Sequence, residues 1–188
     1  MRAVRGGDLG RLGELFDRHH RAVHDYLARM TGDRASADDI VQDVFMRMLK
    51  YRHTFKDEVR FELWMFRIAR NARVDYVRAR ARQPLTSDGE IEHPSQAPGP
   101  ARVLEQNEEL ARLKRAMLLL REDRRELLIL TRYREMKHEE IAELLGVDAG
   151  TIKVRVHRAL AELRSIYLKL TDGQPWTART SPAHLRII

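Results

Sequence analysis

The stretch HEEIAELLGVDAGTIKVRVHR, residues 138–158, decides the fold of the C-terminal part of this chain. Ala142, Gly146 and Ile152 fall at the spacing of a helix-turn-helix. A residue as small as Ala142 lets the second helix cross close to the first. Gly146 supplies the positive φ of a tight turn, which a side chain resists. Ile152 is placed to anchor the second helix against the first. From Ala149 to Ala161 there is no acid, and Lys153, Arg155, His157 and Arg158 recur along the helix. A short basic helix held out by a rigid turn has the geometry that enters a DNA major groove. Thr151, Lys153, Arg155 and Arg158 would then divide between phosphates and base edges. Gly150, in the first turn, would let the backbone approach a phosphate closely. The competing reading is a plain α-hairpin whose basic face is merely solvated.

The rest of the chain agrees with a polyanionic partner. Its 188 residues carry a net charge of +7, and the isoelectric point is near 10.0. There is no cysteine, which excludes disulfides and cysteine-based metal sites. No apolar run approaches the roughly 18 residues of a membrane span. The opening MRAVRGGDLG lacks the apolar core of a signal peptide. A cytoplasmic protein with no membrane insertion is expected. No Gly-rich phosphate loop, nucleophile elbow or paired catalytic carboxylates are found, so neither a cofactor nor an enzymatic activity is expected.

The periodicity predicts an all-α chain of two small modules. In residues 8–82, Leu12, Leu15, Phe16, Val23, Tyr26, Leu27 and Met30 recur at helical spacing. Thr31-Gly32-Asp33 stops that run, and Ser36 or Asp38 is placed to cap the next helix. There Ile40, Val41, Val44, Phe45, Met48 and Leu49 form one apolar stripe. After a polar stretch, Phe61, Trp64, Met65, Ile68, Ala69 and Ala72 mark a further helix. Residues 83–103 hold four Pro, two Gly and three acids without periodicity, which predicts a flexible linker. Helical period returns over 104–170, in the module with the helix-turn-helix. The tail, 171–188, is expected to hold little fixed structure.

Three further constellations stand out. Residues 67–82 contain six Arg against one Asp. Arg67, Asn71 and Arg78 fall on one outer stripe and Arg70, Arg73 and Arg80 on another, suited to phosphates and to stacking on bases. Trp64 and Phe61 are candidates for a platform beneath unpaired bases, although their helical spacing favours core packing, above all for Trp64. Opposite the apolar stripe of DDIVQDVFMRMLK, Asp39, Gln42, Asp43 and Met46 share an acidic, hydrogen-bonding face on a basic module. That face suits a basic protein partner or simply solubilises the helix. His20 and His24 are four residues apart beside His19. With no HExxH glutamate and no evident third ligand, a polar helix face is the better reading than a metal site.

These segments resemble the extracytoplasmic-function sigma factors of bacterial RNA polymerase. ASADDIVQDVFMRML is similar to region 2.2 of that family, and FELWMFRIARNARVDYVRARAR to regions 2.3 and 2.4. LREDRRELLILTRYREMKHEEIAELLGVDAGTIKVRVHRALAELR is similar to region 4. The resemblance implies a transcription initiation factor that directs core polymerase to promoters. Asp39, Gln42, Asp43 and Met46 would face the β′ clamp coiled-coil, and the second module would meet the β flap. Lys56, Arg60, Trp64, Arg67, Arg70, Asn71, Arg73 and Arg78 would read and help melt the −10 element. Gly150, Thr151, Lys153, Val154, Arg155, His157 and Arg158 would read the −35 element. An anti-sigma factor is an implied partner alongside promoter DNA. Val154 stands where a serine is usual, and Lys56-Asp57-Glu58-Val59 is not glycine-rich. Arg121 stands where a proline commonly opens LPEDRRE, which predicts a less sharply defined helix start. A stand-alone helix-turn-helix regulator, or a sigma-like decoy for an anti-sigma factor, remains the alternative.

Overall fold

The computed structural model describes residues 1–82 and 101–171. Residues 83–100 and 172–188, most of the expected linker and nearly all of the tail, lie outside them. The chain divides into two compact units, with the boundary between Ile91 and Glu92. All regular structure among the described residues is helical, as the periodicity predicts.

The first unit holds α1 (Arg2–Arg5), α2 (Arg11–Thr31), α3 (Arg34–Lys50), a short 3-10 turn (Arg52–Thr54) and α4 (Phe61–Arg82). Helix α2 buries Val23, Tyr26, Leu27 and Met30 on one stripe. It ends at Gly32, whose φ of 79° lets its N–H turn back to Ala28 O. Helix α3 is capped by Asp33 rather than by Ser36 or Asp38. The chain leaves Gly32 with Asp33 extended, so its carboxylate accepts from Ala35 N at 3.0 Å and Ser36 N at 3.1 Å. Ser36, already inside the first turn, donates its hydroxyl to the same carboxylate. These bonds, with the Arg80 charge, hold the Asp33 carboxyl below its ordinary range. Helices α2, α3 and α4 pack on one another around Ile40, Val44, Met48, Met65 and Ala69. Tyr26 and Phe66 meet edge to face at 5.3 Å.

The second unit holds α5 (Ala101–Leu119), α6 (Glu122–Leu128), a π-helical turn (Ile129–Tyr133), α7 (His138–Leu145) and α8 (Ala149–Leu170). Helix α5 already covers residues 101–103, assigned above to the linker. The start of α6 is well defined despite Arg121. That residue is extended at φ −54°, a value that a proline ring also fixes, and its carbonyl accepts from Arg124 N and Arg125 N. Arg125 closes the end of α5 by donating to Leu118 O and Leu120 O at 3.1 and 3.2 Å. The π turn inserts one extra residue, with Arg134 N bonded to Ile129 O at 3.0 Å. The chain then turns through Glu135 at φ 52°. Helix α6, with Leu127 and Leu128 buried, packs on α8, whose stripe Ile152, Val156, Ala159, Leu163 and Tyr167 is buried too, and Ile129 and Leu130 of the π turn join the core.

Candidate nucleic-acid interface

The helix-turn-helix forms as its residue types require. Glu140 accepts from Lys137 N at 3.0 Å and fixes the first turn of α7. Gly146 sits at φ 67°, ψ 38°, and Val147 N returns to Ala142 O at 3.0 Å. Ala142 is buried at the crossing and Ile152 has no exposed surface. Asp148 caps α8 by accepting from Gly150 N at 2.8 Å. Gly150 therefore serves the cap, because a Cβ there would lie 2.9 Å from Asp148 Oδ1. Its N–H is used inside the protein and is not presented to a phosphate. Thr151 Oγ1 likewise donates to Asp148 O at 2.7 Å. Lys153, Val154, Arg155, His157 and Arg158 are all exposed on the face opposite the buried stripe. This is the arrangement expected from their spacing.

In the first unit, α4 and the end of α3 enclose an open groove of about 810 Å³. Arg67, Arg70, Asn71 and Arg78 line it. Arg67, Asn71 and Arg78 are exposed and Arg70 is half-buried. Two expectations need correction. Trp64 is only 6 % exposed; it packs edge to face on Phe55 at 5.5 Å and donates Nε1–H to Thr54 Oγ1 at 3.2 Å. It contributes to the groove lining from within the core and is not a platform offered to bases. Arg73 is 3 % exposed, because residues 65, 69 and 73 continue one buried stripe of α4. It is not on an outer face. Arg80 is directed to Ser36 Oγ and Tyr76 OH, each at 3.2 Å, and ties α4 to the start of α3.

Along α3, Asp39, Gln42 and Met46 are exposed, Met46 by 66 %, and Asp43 is half-buried beside them. Asp43 is held by Arg47 Nε at 2.8 Å, and Arg47 Nη1 reaches Asp75 Oδ2 on α4 at 2.6 Å. Arg47 lines the groove as well, so it stands between the acidic face and the arginine-lined one. The four-residue spacing of Asp43 and Arg47 was the signal for half of this bridge. The other half, to Asp75, spans 28 residues and leaves no local trace.

Loop 52–60 carries Lys56 and Arg60, both exposed. It is tied at its base by the buried Phe55 and from the side by α1. Arg5 Nη1 donates to Phe55 O at 2.7 Å, Arg5 Nη2 reaches Asp57 at 2.9 Å, and Arg2 Nε reaches Asp57 at 3.2 Å. The histidines of α2 serve other ends. His20 stacks on Phe16 and bonds to its carbonyl oxygen, and His24 lies 3.4 Å from Asp38. Among the described residues no three metal-ligating side chains converge.

A first unit of four α-helices with an arginine-lined groove and a second unit with a helix-turn-helix define an all-α protein built for nucleic acid. Comparison with known proteins narrows the class. Residues 15–83 match Sigma-70 region 2, and residues 110–163 match Sigma-70, region 4. RNA polymerase sigma factor NccH of Alcaligenes xylosoxydans xylosoxydans is 34% identical over 85% of this chain and 88% of its own. The ECF RNA polymerase sigma factor RpoE of Cereibacter sphaeroides is 34% identical over 87% of this chain and 91% of its own. Among solved structures, CnrH in complex with the cytosolic domain of CnrY superposes with a TM-score of 0.65 at 28% identity. It covers 92% of this chain and 95% of its own. Sigma factor RpoE of Bartonella quintana, in complex with the anti-sigma factor NepR, gives 0.62 at 25% identity, covering 87% and 98%. The chain belongs to the sigma-70 family, among its extracytoplasmic-function members, and is a transcription initiation factor of RNA polymerase. No helix among the described residues is long and apolar enough to cross a membrane.

Proposed function

We propose that the two units divide promoter recognition between them. The first unit, residues 8–82, takes the −10 element into the α3–α4 groove, with Arg67, Arg70, Asn71 and Arg78 on the strand and Lys56 and Arg60 on the loop above it. The second, residues 104–170, lays the start of α8 in the −35 major groove. There Lys153, Val154, Arg155, His157 and Arg158 make the contacts. Asp39, Gln42, Asp43 and Met46 dock on the β′ clamp coiled-coil, and the second unit meets the β flap. The segment between the units joins them in one chain, so that two weak contacts act together on the promoter. The chain performs no chemistry. It works in the cytoplasm by binding unpaired bases and shifting the duplex toward the open form. An anti-sigma factor that covers these faces is the natural antagonist, by analogy with the solved complex of RpoE and NepR.

The observation that carries this reading is the exposed, acid-free cluster of Lys153, Arg155 and Arg158, held out by the buried Ile152. The test is transcription by core polymerase from a template pool randomised at both promoter elements, with the product RNAs mapped to their templates. The wild-type protein should select two elements. The variant with Lys153, Arg155 and Arg158 all changed to Ala should lose preference at the upstream one alone. Gln42→Ala with Asp43→Lys should weaken polymerase binding while thermal unfolding stays near wild type. A stand-alone regulator or a decoy would yield no element-directed transcription from core polymerase at all.

A further inference from the structure

Helix α1 precedes the segment that matches region 2, which begins at residue 15. Yet its side chains reach the loop that carries Lys56 and Arg60. Val4 has no exposed surface, so α1 is seated on the unit rather than hanging from it. It packs on α2 and on the 3-10 turn. From that seat Arg5 divides its guanidinium between two points of the loop, the carbonyl of Phe55 and the carboxylate of Asp57. Arg2 adds a second contact to Asp57.

The three bonds are unequal. Arg2 is 73 % exposed, and an ion pair that open to solvent contributes little. The bond from Arg5 Nη1 to Phe55 O is partly buried and charge-assisted, which makes it the strongest of the set. It acts at the residue where the loop leaves the core. Phe55 is buried against Phe61 and Trp64, and Lys56 follows it directly. The loop is not glycine-rich and its own backbone bonds are few. Thr54 N returns to Tyr51 O, Phe55 N to Arg52 O and Val59 N to Lys56 O. A backbone held by so few internal bonds takes its geometry from what grips it outside.

We propose that Arg5, assisted by Arg2, is a positioning residue for base selection by loop 52–60. Arg5 touches no DNA. It fixes the height and direction at which Lys56 leaves the aromatic base, and so sets which base the loop accepts. This rests on the reading of the loop as part of the −10 interface. It predicts that specificity at one promoter position is governed from outside the segment that matches Sigma-70 region 2.

The experiment uses the full chain with core polymerase and the template pool described above. Arg2→Ala with Arg5→Ala should flatten base preference at one position of the downstream element by about three- to tenfold, and Asp57→Asn, which leaves the bond from Arg5 to Phe55 O in place, should flatten it less. Preference at the upstream element should stay as in wild type, which separates lost positioning from general unfolding. Arg5→Lys, which keeps the charge but not the fork, should recover only part of the preference. Lys56→Ala and Arg60→Ala serve as the direct loop variants. If they alter the downstream preference and the arginine variants do not, the positioning role is overturned. If they also leave it unchanged, the loop does not read DNA, and both the loop assignment and the role of Arg5 fall.

Discussion

On the proposed reading of the α3–α4 groove as the −10 interface, Arg47 keeps a carboxylate from facing the DNA. Asp75 lies within the groove and is half-exposed, and Arg47 meets it at 2.6 Å. With Asp43 on its other side, Arg47 leaves the three groups a net charge of only −1. Arg47→Ala leaves Asp75 bare. A carboxylate about 7 Å from a phosphate, at an effective dielectric between about 40 and 80, is repelled by about 0.6–1.2 kcal/mol. Salt trims that figure, because the Debye length at physiological ionic strength is about 8 Å. Affinity for a fork-junction DNA carrying the selected downstream element should therefore fall about three- to sevenfold in low salt. Asp75→Asn does the opposite and frees Arg47 for the strand, so affinity should rise by a similar factor. The double variant restores the wild-type local charge and should bind as wild type does. The assay is fluorescence anisotropy with core polymerase at saturation, since Arg47 also holds Asp43 on the face proposed to meet polymerase. If the double variant binds as poorly as Arg47→Ala alone, Arg47 contacts DNA directly and the screening argument is wrong.

Other outcomes follow from the packing. Ile152→Ala empties a fully buried site between α7 and α8 and should cost about 2–5 kcal/mol; hydrogen exchange should show lost protection in α7 and α8 while α2–α4 keep theirs. Glu135→Gly should raise the urea midpoint by about 0.5 kcal/mol of stability, because relief of the left-handed strain outweighs the entropy that glycine loses on folding; a lower midpoint than wild type would refute the strain. Asp33→Ala should cost about 1 kcal/mol at neutral pH. Because the folded-state pKa of Asp33 is depressed, its stabilisation is present above its unfolded pKa of about 3.9 and is lost as pH falls through the folded value. Thermal unfolding of wild type and variant should therefore converge in acid, and a gap that persists there counts against the cap.

The parts that could be read from sequence are those whose causes are local. Gly146, Ala142 and Ile152 act within a dozen residues of one another, and the helix-turn-helix follows from their spacing. The acidic face of α3 is likewise periodic. What could not be read depends on choices between local equals or on distant partners. Asp33, Ser36 and Asp38 all suit a cap, and the left-handed Gly32 decides in favour of Asp33. The helical spacing of Trp64 already favours a core position over a stacking platform, and its packing on Phe55 agrees. Arg73 breaks the rule that arginine faces outward, although its place four residues after Ala69 carried the hint. Arg5 and Phe55 lie 50 residues apart, and no local pattern joins them.

Helix α8 divides its residues by task along its whole length. Ile152, Val156, Ala159, Leu163 and Tyr167 are buried, while Lys153, Val154, Arg155, His157 and Arg158 touch solvent. Exchanges at exposed helix positions usually change stability by less than about 0.5 kcal/mol. Mutation can therefore explore new contacts at 153, 154, 155, 157 and 158 while the unit stays folded. With α8 reading the promoter as proposed, preference can drift one base at a time, and a duplicated copy of this chain can acquire a regulon of its own without passing through an unfolded ancestor.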